Sequence, residues 1–374
     1  MRNIIVIILI LVPVPVLFAQ QSPIRLELDS NVDTSKSGIS QVIRLWENYL
    51  NSKPDSSYFN PYWSESEQRQ YKPYDFAAHT LWSPYVWLTL RCHILVLSVS
   101  KIEESYVIRT MFYKLFPRDS GNVTVINIFQ TGARLENGTY KLCNVLPINT
   151  RYWKKEQVDS ITFIFPPEHQ FNRELAERMN RFIDSLAAVW QIPVVPVKYY
   201  FADEFDRVAK AVGLDNYPGE GTIGTGGYTD SKNHIIYAGG SEWYPHEFVH
   251  IHINPLFPDA NGYFLEGYAT LMGGSGGHDL SWHLKRNYEY LKAHPEVDVL
   301  TFKGVDLHVM AQYFIGGLLC KLAEEKGGIP MIRKLMSYGK KDEDLYRAIK
   351  DVFGIDKEHV NNFLLKAMAG HAAK

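Results

Sequence analysis

The fold of this chain depends most on one apolar stretch, Trp243-Tyr244-Pro245-His246-Glu247-Phe248-Val249-His250-Ile251-His252. Its composition predicts a short helix. Pro245 suits the first helical turn, where its missing backbone donor costs nothing, and Asn254-Pro255 predicts an early end to the helix. The predicted helix contains the pattern H-E-x-x-H, which indicates a metal site.

Two histidines of this pattern lie on one face of the predicted helix. Residues four apart are neighbours on a helix, so His246 and His250 can offer two imidazoles to one zinc ion at about 2.0 to 2.1 Å. Glu247 projects beside them, where it can take a proton from a metal-bound water without being a ligand. His252 points elsewhere and cannot share that ion.

A third ligand is expected, because a catalytic zinc site has three protein ligands and an open position. Glu266 provides one on a second apolar helix predicted over residues 262–270, and fifteen residues separate it from His250. Gly267 and Ala269 keep that helix thin, which allows two backbones to approach closely. The sequence therefore predicts one zinc ion bound by the two histidines and Glu266.

This pattern resembles a known enzyme family. H-E-x-x-H followed by a glutamate in the setting Leu265-Glu266-Gly267-Tyr268-Ala269 is similar to the gluzincin metallopeptidases. It is closest to their peptidase MA-like branch, which also includes large aminopeptidases. The resemblance implies a zinc-dependent protease, a hydrolase in which His246, His250 and Glu266 are zinc ligands and Glu247 is the general base.

The chain departs from two related patterns. The metzincin pattern would need a glycine and a histidine where this chain has Ile253 and Leu256. The thermolysin pattern has an aspartate that orients a histidine where this chain has Thr270, whose hydroxyl could orient a ligand more weakly. The glycine-rich motif by which aminopeptidases hold a free amino terminus is not evident, so an endopeptidase is favoured over an aminopeptidase.

A downstream tyrosine is a further candidate. The segment 312–317 resembles the family's Y-x-x-G segment, which implies that the Tyr313 hydroxyl stabilises the oxyanion of the tetrahedral intermediate. Loss of such a donor costs about 3 kcal/mol in other enzymes. Two alternatives stay open on the sequence: Tyr313 only fills a core face, or His308 is an electrophile rather than a bystander.

The hydrophobic pattern predicts an α+β protein of two domains. Residues 22–155 predict an accessory domain with a curved sheet. It is formed by a helix at 39–50 and by four strands at 87–99, 106–116, 123–130 and 140–146. Residues 156–374 predict the metallopeptidase domain, with a sheet-containing half at 156–254 and a helical half at 255–374. The first half has the order β-α-β-α-β-helix, and the resemblance predicts the same order.

Two details of the sheet-containing half bear on ligand binding. Residues 219–224, within the glycine-rich run 219–227, spell G-x-G-x-x-G, but this run leads into a strand instead of a helix, so it predicts a turn and no dinucleotide site. By resemblance, the strand at 234–238 is a sheet edge whose backbone pairs with an extended peptide.

The helix that follows the strand at 194–201 is expected to begin with Asp203 as its cap.

Composition limits the location and the partners of the chain. The net charge of -2 gives no long-range field for nucleic acid. The family resemblance implies a peptide or protein substrate as the partner. Met1–Ala19 predicts a signal peptide, with export to the periplasm or outside the cell, and no stable membrane span after cleavage. An uncleaved anchor is the alternative.

The chain has three cysteines, Cys92, Cys143 and Cys320, and no disulfide is predicted. If one forms, Cys92 and Cys143 are the better pair. The oligomeric state stays open.

Two other interpretations of the motif stay open. The chain could be an exported binding or assembly protein with a structural or inactive zinc site. A structural site would have no need of Glu247 and would close its fourth position with a protein ligand. H-E-x-x-H could also be accidental, but the downstream Glu266 argues against this.

Overall fold

A computed structural model describes residues 23–52, 59–77, 92–115, 123–217, 226–305 and 310–372. The fold class is α+β, as predicted: two open sheets are followed by a largely helical half. The predicted signal peptide Met1–Ala19, most of the glycine-rich run and His308 lie outside the described residues. Among the helices that are described, none is long and apolar enough to cross a membrane.

The first sheet has six strands in the order β1-β2-β3-β4-β5, with β9 beside β4. β1 runs parallel to β2 and the other pairs are antiparallel. Its strands are β1 Glu27–Leu28, β2 His93–Ile102, β3 Ser105–Leu115, β4 Val123–Glu136, β5 Thr139–Cys143 and β9 Leu214–Asn216. Since β9 comes from beyond residue 156, both predicted domains contribute to this sheet.

The second sheet has five strands in the order β10-β11-β8-β7-β6. β11, β8 and β7 are parallel, and the two outer strands are antiparallel to their neighbours. The strands are β6 Lys154–Val158, β7 Ile161–Phe165, β8 Val197–Ala202, β10 Gly227–Asp230 and β11 Ile235–Gly239. The strand predicted at 234–238 is present, but its predicted place at the edge of the sheet is wrong. It forms β11, which pairs on both sides, and the edge belongs to β10.

The described helices are α1 Ser37–Asn51, α2 Glu65–Gln70, α3 Leu146–Asn149, α4 Arg173–Trp190, α5 Phe205–Val212, α6 Pro245–Ile253, α7 Gly262–Gly273, α8 Leu280–Ala293, α9 Ala311–Met336, α10 Asp342–Phe353 and α11 Val360–Ala372. The backbone of α9 is non-helical at Gly327 and Gly328. The prediction that Asp203 caps α5 is wrong, because the cap residue is Glu204. The Asp203 carboxylate lies 3.5 Å from His169 Nδ1 instead.

The first sheet packs against α1 through a core that includes Trp46, Phe112 and Phe129. Phe205 and Leu214, from the second predicted domain, belong to the same core. The second sheet packs on α4 and α6, and the helical half has a separate large core around α9. The helix α6 therefore lies between the second sheet and the helical half.

A buried carboxylate beside the first sheet predicts a pH-dependent stability. Glu67 accepts hydrogen bonds from Trp63 Nε1 at 3.0 Å and from the Asn144 backbone at 2.9 Å. Burial raises the pKa of Glu67 to about 7, although these bonds and Arg134 act in the opposite direction. Because the folded pKa lies above the unfolded value of 4.5, Glu67 favours the folded state most below pH 4.5 and loses this contribution as the pH rises toward 7.

We expect the difference in unfolding free energy between the wild type and Glu67→Gln to shift by about 3 kcal/mol over this pH window. The wild type should lose stability relative to the variant as the pH rises. Urea unfolding at a series of pH values measures this difference. A difference that is constant with pH would contradict the prediction.

Candidate metal centre

The centre is built on α6, whose nine residues are all buried. Pro245 occupies the first turn, and the helix ends at Ile253 before a 3-10 turn at Asn254–Leu256, as predicted. Phe248 packs in the core of the second sheet, while Val249 packs in the core of the helical half. Packing on both sides fixes the rotation of α6, so its histidines have a defined direction.

The three predicted ligands converge. His246 Nε2 lies 3.2 Å from His250 Nε2, and Glu266 Oε2 lies 3.4 Å from the first and 3.3 Å from the second. Tetrahedral ligands of a zinc ion are separated by about 3.3 Å, because each lies about 2.0 to 2.1 Å from the metal. The spacing of this donor set therefore fits zinc. The Glu266 side chain keeps 28% of its exposure, so one side of the centre is open to solvent.

The outer ring nitrogens of the two histidines have acceptors. His246 Nδ1 lies 2.6 Å from the Gly274 carbonyl oxygen, and His250 Nδ1 lies 3.3 Å from Asn254 Oδ1. Each Nδ1 can therefore donate its proton outward, and with a metal bound each Nε2 would direct a lone pair toward the centre. Two such nitrogens and a carboxylate oxygen meet there, which is an arrangement that favours a positive charge, supplied either by a metal ion or by a protonated imidazole.

Thr270 does not have the orienting role predicted for it. Its hydroxyl donates to the backbone oxygen of Glu266, one turn earlier in the same helix, at 2.8 Å. This bond is typical of a threonine inside a helix and directs the hydroxyl away from the histidines. Gly274 and Asn254 orient the ligands instead.

The electrostatics of the cluster match its donor set. Burial lowers the pKa of His250, but the hydrogen bond and charge of Glu266 outweigh burial and raise that pKa to about 9. Burial acts to raise the pKa of Glu266, yet hydrogen bonds with His246 and His250 hold it well below its usual range. Glu266 is thus an anion, and the site favours a cation beside it.

Replacing Asn254 with alanine is expected to lower zinc affinity by about 10- to 100-fold, the usual effect of losing a partner that orients a ligand. The change frees the His250 ring to rotate and to change tautomer. Competition with a zinc-binding dye measures the affinity. Asn233→Ala is a suitable control, because Asn233 hydrogen bonds to Asp230 and the Pro73 carbonyl, outside the ligand cluster. Equal affinities of Asn254→Ala and the wild type would contradict the role of Asn254.

Glu247 lies outside the ligand set. Its Oε2 accepts a hydrogen bond from Thr229 Oγ1 on β10 at 2.7 Å. The cluster of potential ligands in the described part of the chain contains His246, His250 and Glu266, and neither Glu247 nor His252 belongs to it. Glu247 is therefore not one of the ligands, as predicted.

Two tyrosines border the centre. The Tyr313 ring is nearly parallel to that of His246, at 6.0 Å between centroids. Burial and the charges of Glu266 and Glu247 raise the pKa of Tyr313 well above its usual value. Burial, with Glu247 and Tyr313 nearby, does the same for Tyr244. Both phenols are therefore protonated at neutral pH and can donate hydrogen bonds.

A contact between two glycines joins the helices that carry Glu266 and Tyr313. Gly267 of α7 meets Gly316 of α9, and a Cβ at Gly316 would overlap the Tyr263 carbonyl and lie 3.0 Å from the Gly267 Cα. The close approach predicted at Gly267 is therefore confirmed, with α9 as its partner. It positions two of the predicted functional residues, one on each helix.

Several residues of the site were not predicted from the sequence in these roles: Thr229, Tyr244, Asn254 and Gly274. Asn254 follows His250 by four residues, so helical spacing was a signal that could have identified it. Thr229 precedes Glu247 by eighteen residues and meets it through the pairing of β10 with β11, for which the local sequence gives no signal.

The three cysteines, which lie outside the site, are free thiols, as predicted.

No protein-family model matches this chain, and no curated protein sequence matches it. The resemblance to gluzincins thus depends on the residues of the centre alone.

Proposed function

We propose that this protein is a zinc-dependent peptidase. The observation that carries the proposal is the convergence of His246, His250 and Glu266 at the separations of zinc ligands, with the Glu247 carboxylate beside them and outside the ligand set. A carboxylate in this position has a use in hydrolysis and none in a purely structural site.

The residues of the chain would divide the reaction between them. A zinc ion held by His246, His250 and Glu266 would supply Lewis acidity and would make the attacking water more acidic. Glu247 accepts a proton from the attacking water and delivers it to the leaving amine. Tyr313 donates a hydrogen bond to the carbonyl oxygen as that oxygen gains negative charge.

We expect Tyr313→Phe to lower kcat by about 10²- to 10³-fold, the cost of losing one oxyanion donor. Zinc affinity and KM should stay unchanged, because the phenyl ring keeps the packing against His246. Steady-state kinetics with a cleaved peptide measure both constants. Tyr290→Phe, on the exposed side of α8, is the control. A kcat equal to that of the wild type would show that Tyr313 only fills a core face.

The substrate is proposed to be a peptide or protein segment in extended form. β10 is one of the two edge strands of the second sheet as described, and one of its residues contacts Glu247, so an extended chain that pairs with β10 would pass beside the centre. Endopeptidase action is proposed over aminopeptidase action, and export through the amino-terminal segment remains part of the proposal.

The alternative is an exported binding or assembly protein with a structural or inactive site. A closed structural site has four protein ligands. The group of potential ligands found among the described residues has three, which favours the enzyme.

Metal content and cleavage of an unbiased peptide library test the proposal together. We expect the chain without residues 1–19 to bind one zinc ion and to cut peptides, and His250→Ala to do neither. His294→Ala is the matched control, because His294 is partly exposed and its Nδ1 lies 2.9 Å from the Tyr290 backbone oxygen, outside the ligand cluster. Zinc binding without cleavage of any peptide would favour the binding protein. Absence of zinc would contradict both.

A further inference from the structure

The edge strand β10 makes a direct contact with the Glu247 carboxylate. Thr229 Oγ1 lies 2.7 Å from Glu247 Oε2 and 3.2 Å from the backbone oxygen of the same residue. No other hydrogen bond to this carboxylate occurs in the described ranges. One carboxylate oxygen is therefore held by the strand, while Oε1 has no such partner and is free to accept a proton.

The position of Glu247 in its helix offers its carboxylate a different partner. Glu247 is the third residue of α6, where a glutamate commonly turns back to bond the backbone N–H of the cap residue. Among the described residues, the Glu247 carboxylate accepts from Thr229 instead. The hydroxyl of Thr229 offers the carboxylate a partner outside the helix, in a direction that the helix alone would not give.

The same face of β10 fits α6 at a second point. Side chains two apart in a strand lie on one face, so Gly227 and Thr229 both face α6. A Cβ on Gly227 would lie 2.9 Å from Tyr244 Cε1, which means that the glycine leaves room for the tyrosine ring. The strand is thus positioned against the first turn of α6, and the placement of Thr229 follows from that fit.

We propose that Thr229 is a positioning residue, which holds the Glu247 carboxylate in the orientation required of the general base. The inference rests on the proposed peptidase function and deepens it. Because β10 is also the sheet edge, a substrate strand paired with it would bind to the element that orients the base. Substrate placement and base orientation would then depend on one short strand.

Three variants test this role: Thr229→Val, Thr229→Ser and Thr162→Val. Valine keeps the shape of threonine without its hydroxyl, and serine keeps the hydroxyl. Thr162 on β7 of the same sheet is the matched control, since its hydroxyl donates to Gln157 Oε1 at 2.6 Å, outside the centre. The measurements are kcat, KM, zinc affinity, thermal unfolding and crystal structures of the metal-free wild type and Thr229→Val.

We expect Thr229→Val to lower kcat by about 10- to 100-fold, the effect of a slightly misplaced catalytic group. KM, zinc affinity and thermal unfolding should not change. Thr229→Ser should restore most of kcat, Thr162→Val should behave as the wild type, and the Glu247 carboxylate should take a new rotamer in metal-free Thr229→Val.

Two results would overturn the inference. The first is an active wild type with Thr229→Val equal to it in kcat and with Glu247 unmoved in the crystal. The second is a loss of stability or zinc affinity in Thr229→Val that serine does not rescue, which would indicate a structural role alone. If the wild type cleaves no peptide, the proposed function fails instead. The metal-free crystal structures then still decide whether Thr229 orients Glu247.

Discussion

Replacement of Glu247 by glutamine is expected to lower kcat for peptide hydrolysis by about 10²- to 10⁴-fold, the usual contribution of a general base. The amide cannot accept a proton from the attacking water. It keeps the volume of the carboxylate, and its oxygen can still accept the Thr229 hydrogen bond. Zinc affinity should therefore stay at the wild-type level, because Glu247 lies outside the ligand cluster.

The split between activity and metal binding is the informative result of this variant. Metal analysis and peptide cleavage are measured on the same preparation, so a loss of activity cannot come from a loss of zinc. Glu177→Gln is the control, because Glu177 lies on the exposed side of α4. Full peptidase activity in Glu247→Gln would refute the role proposed for Glu247 and with it the mechanism.

Replacement of Gly316 by alanine is expected to destabilise the fold by about 3 kcal/mol, the upper part of the usual range for overpacking. The added methyl would overlap the Tyr263 carbonyl at the crossing of α7 and α9. Backbone atoms cannot move aside as a side chain can, so the helices must separate. Because α7 carries Glu266, zinc affinity should fall as well.

Urea unfolding with and without zinc measures both effects of Gly316→Ala. Gly370→Ala is a matched control, since Gly370 is exposed in α11 and a Cβ there meets no atom within 4 Å. That substitution should stabilise the protein slightly, by the helix propensity of alanine over glycine. If Gly316→Ala and Gly370→Ala have the same stability, the close crossing of the two helices is incorrect.

The sequence determined the elements that are local. The period of the apolar residues predicted the helix at 39–50, which is α1, because a helix that buries one face repeats its apolar residues at a spacing of 3.6. The spacing of four residues placed His246 and His250 on one face of α6 by the same geometry. Asn254-Pro255 predicted a helix end that the structure has.

Strand pairing was less accessible to the sequence. The three-residue strand β9 joins the first sheet beside β4. It was not predicted, because β4 lies some eighty residues earlier in the sequence. The edge was assigned to β11 when it belongs to β10, a strand of four residues without marked alternation. Pairing of distant segments depends on backbone hydrogen bonds that every sequence can form, so it has no local code.

The donor atoms of the proposed centre were determined by the sequence alone: two imidazoles and a carboxylate, with Glu247 beside them. Only the tertiary structure decided how these groups are held. Gly274 and Asn254 fix the histidine rings, Thr229 fixes Glu247, and the Gly267–Gly316 contact sets the distance between α7, which carries Glu266, and α9, which carries Tyr313. Residue type determines what a side chain can bind, whereas its orientation depends on contacts that form when distant elements pack.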